Sequence, residues 1–379
     1  MKYLVQISRI LVGVLFIFSG WVKLNDPMGF GFKLEEYFVE LNMSFLLPAA
    51  LFFAIFICVI EIALGITLLL GLWRKLTVRA LLLMIVFFTF LTFWSWWFNV
   101  VTDCGCFGDA IPLTPFQSFV KDVILTVLIV ILFAGKRFIN PLVASKTAIG
   151  ITVVLLIASG FYTHHVLNHL PVVDFRAYKV GTDIAEGMKS ADELGKEGPQ
   201  YEIMYTMKNA STGEMVEITD KQYIDDKWWE KPEWEIQNDL TESRKISDGY
   251  EPPIHDFSLN TDRGDITQWL LSQDAIVMVL SYEMEKASEE GMKAIGEWAW
   301  TLDEAGIQTI GWTSSSYEVV EAAKHEAQIP IDFTTGDGTA IKTVIRSNPG
   351  VMALKNGVIV GKWHWNDAPS VEELQGLFQ

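Results

Sequence analysis

The chain has 379 residues, half of them hydrophobic, with 14 Trp and a formal net charge of −17. That length allows two or three domains, and the acidic balance excludes nucleic acid as a partner and argues against anionic lipid as one for the acidic part. The charge is unevenly held: residues 1–146 contain 11 Lys/Arg against 8 Asp/Glu, the remainder 18 against 38.

Five apolar runs, near 4–22, 45–72, 80–98, 116–134 and 147–165, are long enough to cross a hydrocarbon layer about 30 Å thick, which takes roughly 17–25 residues. The first has a basic start (Lys2, Arg9) but ends in "SGWVKLNDP" and feeds a polytopic pattern, so it is read as a spanning helix rather than a cleaved leader. Short loops rich in Lys/Arg stay in the cytoplasm. Arg74, Lys75 and Arg79 in one loop and Lys136, Arg137 and Lys146 in another put the N-terminus on that side. Alternation then exports loops 23–44 and 99–115 and everything after about 166. The expected location is a bacterial inner membrane with lipid around the helices and the C-terminal region in the periplasm.

Within the second run, Glu61 follows Cys58 by one turn. An acid at that depth costs several kcal/mol unless neutral or paired. Lys23 and Arg9, near opposite ends of the first run, are its candidate partners. A proton relay or a polar wall for a quinone or other small ligand is one reading; an interhelical hydrogen bond holding the helices in register is the plainer one. Asp122, near the outer end of the fourth run, carries the same two readings. "FWSWWF" at 93–98 has the composition of an interfacial anchor.

The loop after the third run reads "TDCGCFGD" (102–109) and holds Cys104 and Cys106, two of only three cysteines. On the outer side thiols tend to pair, which leaves Cys58 as the odd one. A disulfide between residues i and i+2 needs a sharp bend, which the intervening glycine allows, and a strained, exposed disulfide is readily reduced. Redox exchange, an inert loop staple and half of a metal site all remain open. The last is the weakest, because structural zinc wants four ligands.

Residues 1–145 resemble the DoxX/MauE group of small membrane proteins, on "RILVGVLFIFSGWVKL", "CVIEIALGITLLLG" and above all "CGCFGD". The resemblance implies a four-helix membrane domain with Cys104 and Cys106 as its catalytic residues. It also implies work on thiols of exported proteins, alongside a thioredoxin-like companion, with quinone as an electron acceptor.

The remaining chain divides into a fifth spanning helix (146–170), a small β-rich segment (171–249) and an α/β domain (250–379). "YEIMYTMKN" and "STGEMVEI" read as two strands around a Ser-Thr-Gly turn, whereas "DDKWWEKPEWEIQND" yields no assignment. From 254 a short strand and turn is followed by strand 275–282, helix 285–305, strand 307–314, a helix in "SYEVVEAAKHEA" and two strands around Asn356-Gly357. The β-α-β-α-β-β order predicts a layered α/β domain with a mixed sheet. This part resembles the TlpA/AhpC type of thioredoxin-like domain, on "HDFSL" and on Asn348-Pro349 as the cis-proline element.

One feature departs from that pattern. Where such domains carry C-x-x-C this chain has "YEMEKASEE", and no cysteine follows Cys106. Glu285, Lys286 and Ser288 cannot supply the low-pKa thiolate that dithiol exchange needs. The outer domain is expected to bind a partner through Asn348 and Pro349, or to be purely structural. His164, His165 and His169 are expected at a wetted interface, with no metal site. The expected function is support of periplasmic thiol–disulfide redox or maturation of exported proteins, with a periplasmic or envelope protein as partner. The alternative is a non-catalytic scaffold of an envelope complex.

Overall fold

The computed structural model describes residues 1–98, 105–247 and 249–379. They group into two compact units, one of Met1–Thr182 with Ser258–Gln379 and one of Asp183–Phe257.

Among the described residues five helices are long and apolar enough to cross a membrane: α1 (Lys2–Asn25), α3 (Ala50–Leu70, entered through a 3-10 turn from Ser44), α4 (Arg74–Phe98), α5 (Pro115–Ala134) and α6 (Ser145–Asn168). Between the first two, residues expected to form a loop form a helix, α2 (Pro27–Glu40). Its glycines hide it from a propensity reading. Two things build it. The Asp26 carboxylate accepts from the Gly29 N–H at 2.8 Å, with Pro27 in the first turn. Phe30, Leu34 and Tyr37, spaced along one face, are all buried.

Small residues let α1 and α3 approach closely, as packing inside lipid favours. A Cβ on Gly65 would meet the Gly13 carbonyl at 2.7 Å, and one on Gly20 the Cys58 carbonyl at 2.8 Å. At the far end of α1, Arg9 donates to the carbonyls of Leu68 (2.9 Å), Leu69 (2.6 Å) and Asn140 (2.9 Å). It therefore caps the carbonyl end of α3, where acceptors are otherwise orphaned and positive charge is favoured.

The second unit opens with a single helical turn, α7 (Ile184–Gly187), and contains a four-stranded antiparallel sheet. β1 (Gln200–Asn209) pairs with β2 (Met215–Thr219) on one side, and with β3 (Trp234–Ile236) and β4 (Glu242–Ser247) along different parts of its other edge. α8 (Asp220–Asp225) follows β2 directly, and the unassigned Trp-rich stretch after it supplies a 3-10 turn (Trp228–Glu230) and β3. The Thr219 hydroxyl and Gln222 form a reciprocal cap at the start of α8.

The C-terminal domain is built on a seven-stranded sheet in the order β11-β10-β7-β8-β9-β5-β6. Its strands are β5 (Asn260–Thr261), β6 (Gly264–Asp265), β7 (Ile276–Ser281), β8 (Thr309–Thr313), β9 (Phe333–Thr335), β10 (Gly350–Lys355) and β11 (Val358–His364). β7, β8 and β9 run parallel, and β10 and β11 antiparallel. All six residues of β7 are buried, the mark of a central strand covered on both faces. Its helices are α9 (Thr267–Leu271), α10 (Glu289–Glu304), α11 (Tyr317–Ala327), α12 (Gly338–Val344) and α13 (Val371–Phe378). Val277 and Val279 of β7 share a core with Ile295, Ala299 and Leu302 of α10 and Leu374 of α13.

This is a thioredoxin-like arrangement. Asn356 and Gly357 both have positive φ and close β10–β11 with Lys355 opposite Val358, the two-residue turn that this dipeptide favours. The structure adds β9, α12 and α13 to the expected order. α12 is seven residues long and rich in Gly, Thr, Ile and Val, so its period and propensity are weak. The expected strand in "DFSLNTDRGDI" is reduced to the two-residue strands β5 and β6.

Candidate functional site

Cys106 is partly covered and carries a free thiol. Cys104 lies outside the described residues, as do the first residues of the loop. The described half is fixed to the bundle. The Ser19 hydroxyl of α1 donates to the Cys106 carbonyl at 3.0 Å. The Phe107 ring lies 5.8 Å from that of Phe18 and 4.9 Å from the Lys121 ammonium. Gly105 and Gly108 both have positive φ, which only glycine adopts freely. The two glycines of "CGCFGD" therefore fold the loop back onto the helices.

Beneath Cys106 the bundle encloses a cavity lined by Lys23, Glu61, Lys121 and Asp122 together with aromatic and aliphatic side chains such as Phe30, Phe88 and Leu91. Lys23 Nζ is 2.5 Å from Glu61 Oε1, both side chains being almost wholly buried. The same ammonium stands 5.0 Å from the Phe30 ring and 5.3 Å from that of Phe88. Glu61 Oε2 accepts from no group among the described residues. On the opposite wall Lys121 Nζ lies 3.0 Å from Asp122 Oδ1, and the Thr92 hydroxyl donates to Asp122 Oδ2 at 3.1 Å. Of the two candidate partners of Glu61, Lys23 makes the pair; Arg9 is spent on the α3 carbonyls instead. Lys121 and Thr92 were not foreseen, although a lysine beside an acid inside an apolar run was a visible signal.

Burial raises the Cys106 thiol above its ordinary value, and the Asp122 carboxylate adds to the rise. The Lys121 ammonium, hydrogen-bonded to the sulfur, and Lys23 work in the opposite direction without cancelling it. The resting group is thus a protonated thiol with a cation at hand for the thiolate once formed. Cys58 is fully buried in α3.

Asn348 and Pro349 belong to the loop before β10, and their peptide bond is cis. The Asn348 side chain accepts from the Ser281 hydroxyl (2.7 Å) and donates to the Glu283 carbonyl (2.8 Å), while its backbone carbonyl accepts from the Ser288 N–H (2.9 Å). Pro349 is buried, its Cδ 3.0 Å from where a Cβ on Gly291 would lie. At the start of α10, Ser288 caps the Gly291 N–H at 3.1 Å. His165 and His169 lie 4.7 Å apart and His169 Nδ1 is 2.8 Å from Asp367. Among the described residues no three His, Cys, Asp or Glu side chains converge as a metal site.

Fold and site together define a membrane-spanning helical bundle with a polar, cysteine-lined cavity, continued by a thioredoxin-like domain that has no cysteine. Residues 1–135 match the family described as Methylamine utilisation protein MauE, so the chain carries a MauE domain at its N-terminus. It is 32% identical over 162 residues to Protein TlpB of Flavobacterium psychrophilum, a match covering 41% of this chain and 44% of that protein. The chain therefore spans less than half the length of this relative. A solution structure of a proposed protein disulfide isomerase from Bacteroides thetaiotaomicron aligns at 18% identity with a TM-score of 0.25, over 33% of this chain and 82% of that one.

Proposed function

We propose that the chain is a thiol–disulfide exchange protein of a bacterial inner membrane, with Cys104 and Cys106 as its redox pair on the periplasmic side. The observation that carries this reading is the gathering of Cys106 and two lysine–carboxylate pairs around one cavity beneath the cysteine loop. The orientation is supported by the six Lys/Arg of the two loops that alternate with the cysteine loop.

A thiolate of an exported dithiol protein attacks the Cys104–Cys106 disulfide and forms a mixed disulfide. The second client thiol resolves it, leaving an oxidised client and two thiols in the loop. Lys121 stabilises the Cys106 thiolate as it leaves and before it is protonated, and on reoxidation Asp122 and Glu61 stand ready to take up the proton that the Cys106 thiol releases. The pair is reoxidised when two electrons and two protons pass to an acceptor.

The cavity, about 50 Å³ as it stands, would have to widen to admit a flat, lipid-soluble acceptor of the quinone class, and its walls carry the groups such a molecule would use. Phe30, Phe88 and Leu91 offer apolar surface, Lys23 and Lys121 offer donors to carbonyl oxygens, and Glu61 Oε2 is an acceptor without a partner among the described residues. Such a molecule would supply the two-electron sink. The thioredoxin-like domain presents the client, which is an exported or envelope protein.

The test is oxidation of a dithiol peptide by the full chain in lipid nanodiscs supplied with a soluble quinone. Quinone reduction is expected for the native protein and is expected to vanish in Cys106→Ser. Unchanged turnover in that variant overturns the reading. A non-catalytic scaffold, favoured by the lack of any cysteine after Cys106, predicts no turnover in either protein.

A further inference from the structure

The cysteine loop is held from two sides. Below it are the bundle contacts already described. Above it is Arg346, in the segment between α12 and β10, which reaches across to the membrane domain. Its Nε donates to both Asp26 oxygens, at 3.0 and 2.8 Å, and its Nη2 lies 3.4 Å from Asp109 Oδ2, the last residue of "CGCFGD". A third nitrogen, Nη1, donates to the Lys342 carbonyl one turn back in its own domain. The side chain is more than nine-tenths buried; its two short bonds go to the mostly buried Asp26, and the longer one reaches the exposed Asp109.

The neighbourhood is shaped for this group. A Cβ on Gly29 would fall 2.7 Å from Arg346 Nη2 and 2.5 Å from Asp26 Oδ2, so only glycine lets the fork in. Phe32 of α2 lies under the guanidinium at 5.6 Å and under the Lys342 ammonium at 4.9 Å, with the Tyr282 ring edge-on at 5.7 Å. Burial alone would raise the Asp26 carboxyl, but Arg346, Arg176 and the Gly29 N–H outweigh it and hold it below the ordinary carboxylate range. Asp26 is thus a fixed anion that both starts α2 and receives the outer domain.

The cleft bounded by this contact includes Gly105, Gly108, Asp109 and Arg346, and it shares Lys23 with the cavity beneath Cys106.

We infer that Arg346 is a positioning residue for Cys106: by joining Asp26 to Asp109 it holds residues 105–109 against the bundle and sets how readily Cys106 reacts. The inference rests on the proposed redox reading for its purpose but not for its measurement. A domain that has no thiol of its own then takes part in the chemistry by controlling access to a thiol on another domain.

The experiment is site-resolved alkylation of Cys106 across a pH series, in the full chain in nanodiscs, on a Cys104→Ser background so that one loop thiol reports. Freed of Arg346, the loop lets water reach Cys106, so Arg346→Gln is expected to raise the alkylation rate several-fold and to move the midpoint of the pH profile down. Asp109→Asn approaches the contact from the loop without touching the outer domain and is expected to act in the same direction. The double variant is expected to match the stronger single one, because both break one link. Arg346→Lys, which keeps the charge but not the fork, is expected to restore part of the native rate. Equal rates in all variants overturn the inference, as do a silent Asp109→Asn or fully additive effects. Failure of dithiol oxidation in the native protein, with alkylation responding as expected, overturns the redox reading alone.

Discussion

The membrane bundle and the thioredoxin-like domain handle polar groups in opposite ways. In the bundle, the charges that are buried are matched to specific partners: Arg9 to helix-end carbonyls, Lys23 to Glu61, Asp122 to Lys121. In the thioredoxin-like domain the sheet is apolar at its centre and the polar groups work at helix ends, as with Ser288, Asp337 and Ser370. The place where a thioredoxin-type thiol would stand is a plain serine cap, and the remaining thiols belong to the bundle. The difference teaches that a thioredoxin-like fold can keep its architecture with no cysteine of its own, while every cysteine of the chain lies in or beside the bundle.

The comparison breaks most completely at the glycine contacts of the bundle. Gly65→Leu drives a side chain into the Gly13 backbone, and no folded membrane domain is expected to survive, as read by protease resistance in membranes. A bundle of native resistance would show that α1 and α3 do not pack as described.

Breaking the buried pair comes next. Glu61→Ala leaves Lys23 charged and alone, at a cost of about 3–5 kcal/mol. The double change Lys23→Met with Glu61→Met is expected to recover most of it, by thermal unfolding in detergent. If the double variant is as weak as the single, the pair is structural in a way that charge matching does not explain.

The segment that links α6 to the C-terminal domain responds to acid instead. Burial raises the Asp174 carboxyl, but Arg176 and Lys362 outweigh it and hold it at about 2, against an ordinary 3.8. A depressed carboxyl contributes stability that is present above its ordinary value and is lost as pH falls through the folded one. On the order of 2 kcal/mol should therefore disappear between about pH 4 and pH 2. Asp174→Asn should flatten that window, in unfolding curves taken from pH 2 to 6. The smallest effect belongs to the last helix, where Ser370→Ala removes the reciprocal cap with Glu373 and should cost about 1 kcal/mol.

Much of this was legible in the sequence because its signals are local. Five apolar runs, the Asn356-Gly357 turn and the depth of Glu61 each follow from a short window. α2 escaped because Gly29 and Gly31 mask its period, although Asp26-Pro27 is a helix start in plain view. α12 escaped because seven residues rich in β-branched side chains carry no clear periodicity. The contact of Arg346 with Asp26 joins residues 320 positions apart, and nothing in either neighbourhood announces the other. The same holds for Ser19 on Cys106, which only the folded loop reveals.

The most direct test of the central claim is the redox state of Cys104 and Cys106 in intact cells, read by alkylation trapping with and without a mild reductant. The redox reading predicts a pair that moves between dithiol and disulfide as the reductant is added and withdrawn, while Cys58 stays unmodified. A pair locked in one state under every condition would contradict it.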